Sequence, residues 1–162
     1  MNADPKVMAY FPAKLSRSES DAMVERIKAD MRVNGFGFWA VEERSSGDFI
    51  GLVGLSRPRF NTDFTPCVEI GWRLTRESWG RGYATEAASK ALDIGFAEHE
   101  LSEIVSFTVP QNRRSRRVME KLGMTHHSTD DFGHPNLEPA HPLYGHVLYR
   151  INREQWKQSH RR

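Results

Sequence analysis

The sequence predicts an α/β domain: one mixed β-sheet covered by helices. Three observations lead there. Strand-like and helical stretches follow in the order β-β-β-helix-β-helix-β after an opening helix. The third strand-like stretch alternates, with Val68, Ile70, Trp72 and Leu74 on one face and Cys67, Glu69, Gly71 and Arg73 on the other. It leads through a glycine turn into a helix whose Ala84, Ala87, Ala88, Ala91, Leu92, Gly95 and Phe96 share one side. So many small residues imply close approach to a sheet.

The elements can be justified in order. Residues 1–15 read as irregular, broken by Pro5 and Pro12. Ser16 and Glu19 have the spacing of a capping box, and Met23, Val24, Ile27 and Met31 follow as a helical stripe ended by Asn34-Gly35. Residues 36–44 and 49–56 read as strands joined at Ser45-Ser46-Gly47-Asp48. The loop 57–66 carries Phe60 and Phe64 between prolines, either lining a pocket or packing as a satellite of the core. Residues 104–109 form a strand ended by Pro110. Residues 112–122 form a short helix with Gly123 beyond it, with Asn112 and Ser115 among its inward positions. A proline-rich loop, 128–142, precedes a last strand at 143–151.

Composition bounds the rest. The 162 residues, 38% apolar and 27% charged, suit a single domain over 1–162. No apolar run nears the ~18 residues of a membrane span, so no membrane partner is expected. The net charge of +2 gives no argument for a nucleic-acid partner. The single cysteine, Cys67, leaves no internal disulfide and points to a cytoplasmic setting.

The turn Trp79-Gly80-Arg81-Gly82-Tyr83-Ala84 is where chemistry gathers. A strand, a glycine turn and a helix start in that order make an anion site. The first helical N–H groups are unpaired, and the helix dipole favours negative charge there. Gly80 and Gly82 permit positive φ and keep side chains off a phosphate. Arg76 and Arg81 add positive charge.

Together, Glu69-Ile70-Gly71-Trp72-Arg73-Leu74, the glycine turn running into Thr85-Glu86-Ala87, and Asn112-x-x-Ser115 leading to Lys121-Leu122-Gly123-Met124 resemble the GNAT superfamily of N-acetyltransferases, nearest its Rim-type (ribosomal-protein N-terminal acetyltransferase) branch. The resemblance covers nearly the whole chain. It implies a mostly antiparallel mixed sheet with helices on both faces, and acetyl-CoA as co-substrate. It places the diphosphate on Arg81, Gly82, Tyr83, Ala84 and Thr85. It lays the pantetheine arm along Ile70, Trp72, Arg73 and Leu74, with Asn112 and Ser115 beside it. Trp79 stands in the family's Gln/Arg place.

The implied reaction is direct attack of a neutral primary amine, on a peptide N-terminus or a small molecule, within a ternary complex. Glu69 would take the proton, and a strand amide near Ile70 would meet the oxyanion. Two departures stand out. Met119 occupies the place of the family's usual proton-donating tyrosine, leaving Ser115, Tyr149 or Tyr144 for that role. The given sequence also begins after the family's usual first strand, which leaves a sheet edge to be covered by a second copy in a homodimer, by residues preceding the given start, or by the N-terminal segment.

Competing readings accompany each assignment. Glu69 alone could be a solvated strand residue or an ion-pair partner of Arg73, and Ser115 a hydroxyl bonded to its own helix. Cys67 shares the face of Glu69, yet no histidine lies at a spacing to activate it. The arginines at 113, 114, 116 and 117 read as a solvated face or a phosphate contact. The histidines at 126, 127, 134, 141 and 146 have no metal spacing, so no metal is expected. Asp130 and Asp131 suggest recognition of a cationic acceptor. A non-catalytic acyl-CoA-binding module is the alternative for the whole chain.

Overall fold

The computed structural model describes residues 1–159. In chain order it holds α1 (Arg17–Asn34), β1 (Phe38–Glu42), β2 (Phe49–Ser56), β3 (Glu69–Leu74), α2 (Tyr83–Ala97), β4 (Glu103–Thr108), α3 (Arg113–Lys121), β5 (Thr125–His126), β6 (Phe132–Gly133), β7 (Gly145–Asn152) and α4 (Arg153–Ser159). The sheet order is β1-β2-β3-β4-β7-β5, with β6 also paired to β7. Every pairing is antiparallel except β3–β4. A parallel pair needs a crossover, and α2 provides it.

Local chemistry fixes the element ends. The Ser16 hydroxyl accepts from the Glu19 N–H, and the Glu19 carboxylate accepts from the Ser16 N–H at 2.7 Å, a complete capping box. Gly35, at φ 76°, ends α1 in the left-handed conformation. The α1 stripe is shallower than its spacing suggests: none of its residues is fully buried, and Val24 is exposed.

The inner face of α2 behaves as its composition requires. Ala88, Ala91, Leu92, Gly95 and Phe96 are buried, and a Cβ on Gly95 would lie 2.8 Å from Ile104 Cδ1. Leu55, Ile70, Leu92, Ile104, Met119, Tyr149 and Trp156 join one core between the sheet and α2, α3 and α4. The opposite face of β3 meets α1 and the N-terminal segment, where Arg73 reaches Met23 and Asn2. Helices therefore cover both faces. No helix among the described residues is long and apolar enough to cross a membrane.

One element is absent from the sequence reading. α4 begins with a reciprocal cap, Asn152 and Gln155 each accepting the other's N–H at 2.9 Å. It buries Trp156, whose indole N–H donates to Asp93 at 2.9 Å.

The loop 57–66 folds back over the sheet face that carries Glu69. Phe60 and Phe64 pack on Phe107 of β4 at ring-centroid distances of 5.7 and 6.2 Å, and Phe132 closes on Phe64 at 4.8 Å. The satellite reading of this loop holds for Phe60, while Phe64 and Phe132 also line an open groove of about 330 Å³.

The tightest backbone approach in the sheet is at Gly54. A Cβ there would collide with the Gly37 carbonyl oxygen and lie 2.6 Å from Phe38 Cα, neither of which is a flexible side-chain end. Gly54→Ala is expected to cost about 3 kcal/mol. Gly145→Ala, where nothing lies within 4 Å, should stay within about 0.5 kcal/mol. Urea-unfolding midpoints of the two variants check this contrast.

Candidate acyl-carrier and acceptor site

β3 and β4 pair at one position only, Glu69 opposite Val105. The Val105 N–H donates to the Val68 carbonyl at 2.9 Å, and beyond this point the strands part. The buried Ser106 hydroxyl sits in the opening and donates to the Ile70 carbonyl at 2.9 Å. The odd residues of β3 turn their main chain toward β2, in the register that ends with Thr75 N–H on the Ile50 carbonyl. The even residues Ile70, Trp72 and Leu74 therefore turn theirs toward the opening. Arg73 departs from the expected set, since its main chain belongs to the β2 ladder opposite Leu52.

The mouth of the opening is the glycine turn. The Trp79 indole donates to the Leu74 carbonyl at 3.1 Å and ties the turn to the strand end. Gly80 and Gly82 have φ of 75° and 89°, and no atom lies within 4 Å of a Cβ at either. Gly82 caps α2 without a side chain, so the N–H groups of Tyr83, Ala84 and Thr85 start the helix with no acceptor inside it. This open cradle fits a diphosphate.

Its charges differ from the sequence expectation. Arg81 pairs with Glu43 at 2.6 Å and lies over the Tyr83 ring, and the Tyr83 hydroxyl also bonds Glu43. The Tyr83 hydroxyl, followed by the Arg81 charge, holds the Glu43 carboxyl below the usual range. The Arg114 guanidinium stacks on Trp79 at 4.6 Å, bringing a second cation from α3. Arg114 belongs to the basic cluster read as a solvated face or a phosphate contact, whereas Glu43 was not singled out in the sequence, because it lies far from the turn's own segment.

Around α3, Asn112 caps the helix by accepting the Ser115 N–H at 3.3 Å, and it donates to Thr108 Oγ1 at 3.0 Å. Ser115 is half-buried on the same helix, and Met119 is sealed in the core. Tyr149 is also buried, but its hydroxyl accepts from Arg116 and donates to Glu120, both at 3.2 Å. The structure thus engages that proton on the Arg116–Glu120 side of α3. The Tyr144 ring packs on Gly133. An unanticipated tyrosine, Tyr10, donates from the N-terminal segment to the Gln111 carbonyl at 3.3 Å, next to Asn112.

Glu69 lies on the other face of β3. It accepts a hydrogen bond from Ser56, its neighbour on β2, and does not pair with Arg73. Desolvation pushes its carboxyl up to about 8. Burial first, then the Glu69 charge, pushes the Cys67 thiol up to about 11, which leaves it a poor nucleophile at neutral pH. Asp130 and Asp131 line the groove beside Phe64, but Asp130 is held by Arg150 at 2.8 Å and Asp131 by His126 at 2.7 Å. Both carboxylates proposed for a cationic acceptor are thus spent within the chain. Among the described residues no three His, Cys, Asp or Glu side chains could hold a metal.

A half-open parallel pair, with a glycine turn and a helix start at its mouth, defines an α/β fold with an anion cradle at the end of a strand. A family model for the acetyltransferase (GNAT) domain matches residues 1–125. Over 126 residues the chain is 32% identical to the uncharacterized protein YkkB of Bacillus subtilis (strain 168), spanning 78% of this chain and 72% of that protein. It is 32% identical over 166 residues to the FsC-acetyl coenzyme A-N(2)-transacetylase of Aspergillus fumigatus, spanning 96% of this chain and 68% of the relative. The crystal structure of a GNAT-family acetyltransferase from Bacillus anthracis aligns with a TM-score of 0.75 at 25% identity, over 94% of this chain and 85% of that one. The chain belongs to the GNAT acetyltransferase family and is an acetyltransferase.

The environment of Glu69 sets a pH dependence of stability. Its folded pKa near 8 lies above the ordinary 4.5, so between those values the folded state holds the extra proton. Stability from this group is full below about pH 4.5 and is lost as pH rises through about 8. Urea midpoints from pH 5 to 9 should fall for the natural chain and fall less for Glu69→Gln.

Proposed function

We propose that this acetyltransferase moves the acetyl group of acetyl-CoA onto a primary amine by direct attack in a ternary complex, with Glu69 as the base. One observation carries the reading. Glu69 rises from one face of β3, at the only point where β3 and β4 pair, and the cradle opens beyond it.

Acetyl-CoA, when bound, supplies an activated thioester. In this reading the amides of Tyr83, Ala84 and Thr85, with Arg81 and Gly82, hold its diphosphate. The main-chain groups of Ile70, Trp72 and Leu74 that turn into the opening hold the arm, and Asn112 has a second amide hydrogen for it. A carboxylate with a pKa near 8 is matched to removing a proton from an α-amine of pKa about 8. Ser115, half-buried one turn along α3, is the hydroxyl placed to return a proton to the leaving sulfur. In this scheme the Tyr149 hydroxyl serves Arg116 and Glu120. The thiol of Cys67, held near 11, argues for direct attack over an acyl-cysteine.

The acceptor is an amine of a peptide N-terminus or a small molecule. N-transfer is supported by the name of the Aspergillus relative, which carries an N(2) position. The Rim-type assignment has narrower support. The ribosomal-protein-S5-alanine acetyltransferase of Vibrio fischeri aligns at TM-score 0.70 but only 19% identity, a likeness of fold.

Glu69→Gln should lower kcat/KM for amine acceptors by about 10²- to 10⁴-fold and leave coenzyme A affinity within about twofold. Thiol release and calorimetry read the two quantities. Undiminished turnover would remove Glu69 from the chemistry. Tight coenzyme A binding without transfer to any amine would favour the non-catalytic module instead.

A further inference from the structure

Arg73 stands four residues after Glu69, on the same face of β3, about 13 Å away along the strand at 3.3 Å per residue. It lies beyond the last point at which β4 pairs with β3. Its guanidinium is largely enclosed, and every contact it makes is to a neutral group. Nη1 donates to Asn2 Oδ1 at 2.9 Å and approaches Met23 Sδ at 3.5 Å, and the Phe11 ring lies 4.1 Å from the guanidinium carbon. Nε is sealed from solvent with no acceptor. Desolvation lowers the Arg73 pKa, yet a guanidinium keeps its charge across the working pH range.

Burying a charge is costly unless it is paired. The chain shows what a structurally compensated arginine looks like: Arg150 holds both Asp130 and Glu103 at 2.8 Å. Arg73 has no carboxylate partner among the described residues. Nη1 is occupied and Nε is sealed, so the uncommitted donor is Nη2. A charged N–H donor of this kind matches a carboxylate oxygen.

Resting on the transferase reading above, we propose that Arg73 receives an anionic group of the acceptor, so that the preferred substrates are amines carrying a carboxylate in the same small molecule. The amine is held near Glu69 and the carboxylate lies along the strand at Nη2. Phe11 and Asn2 hold the guanidinium in place. Arg73 is a specificity-determining residue in this arrangement and takes no part in proton transfer.

Matched acceptor pairs long enough to span the two residues test it: 6-aminohexanoate with hexylamine, and 8-aminooctanoate with octylamine. The natural chain should favour the carboxylate member at least tenfold in kcat/KM. R73Q should collapse that ratio at least tenfold, whatever factor both members lose in common, and R73K should restore part of it. An equal preference within the pairs, or a ratio that R73Q leaves in place, overturns the proposal. A purely structural role predicts the latter. If no amine turns over at all, the transferase reading fails separately, and titration calorimetry with 6-aminohexanoate in the presence of coenzyme A still decides Arg73. Heat with the natural chain that R73Q abolishes supports the site, and no heat with the natural chain overturns it.

Discussion

The structure depends on a parallel pairing that stops almost as soon as it begins. β3 and β4 meet at Glu69 and Val105 and then part, while each remains fully laddered to its outer antiparallel neighbour. Those outer ladders make the parting affordable in free energy. Main-chain groups left without a strand partner would be a liability inside a protein unless something else meets them. Ser106 meets one of them, at the Ile70 carbonyl, and so marks where the opening starts. Alternation along β3 does the rest. Even residues give the opening its donors and the core its side chains, and odd residues give the other face a glutamate and an arginine.

The two faces of that strand carry opposite electrostatic problems. Toward the carrier, the helix start and arginines favour negative charge, and Glu43 keeps Arg81 compensated. On the other face, Glu69 is desolvated enough to hold its proton near neutrality, and Arg73 is desolvated without a countercharge. Neither group is comfortable where it is. A side chain kept in such a position by a well-laddered strand is set by the backbone, so its discomfort is available to a ligand.

Much of this was legible because the relevant information is local. A capping box occupies four consecutive positions, a helix face repeats at a fixed period, and the cradle is a contiguous strand, turn and helix. Those features appear in the structure at the residues that announced them, Ser16, Glu19, Gly82 and the alanines of α2 among them. What escaped was nonlocal or short. α4 spans too few residues for periodicity to speak, although its Asn152 and Gln155 cap was present in the letters. The Glu43–Arg81 pair joins positions 38 apart, and Arg73 meets Asn2 across 71, which no spacing rule reaches. Val24 shows the limit of periodicity: it is in register with a helical stripe, yet lies exposed on a helix that buries nothing fully.

This difference in legibility has a physical source that bears on specificity. The carrier end of the site is made by one stretch of chain, from β3 into the first turn of α2, so its geometry travels with its sequence. In the proposed reading the acceptor end is assembled from the N-terminal segment at Asn2, Tyr10 and Phe11, the loop bearing Phe60 and Phe64, and the segment at Asp131 and Phe132. Each of these is anchored on β3, β4 or α3 by only a few contacts, so each can change without disturbing the ladder beneath. A fold arranged this way fixes the donor while leaving the acceptor to vary. The residues that tell one such enzyme from another should therefore be sought among those three segments and the strand side chains beneath them.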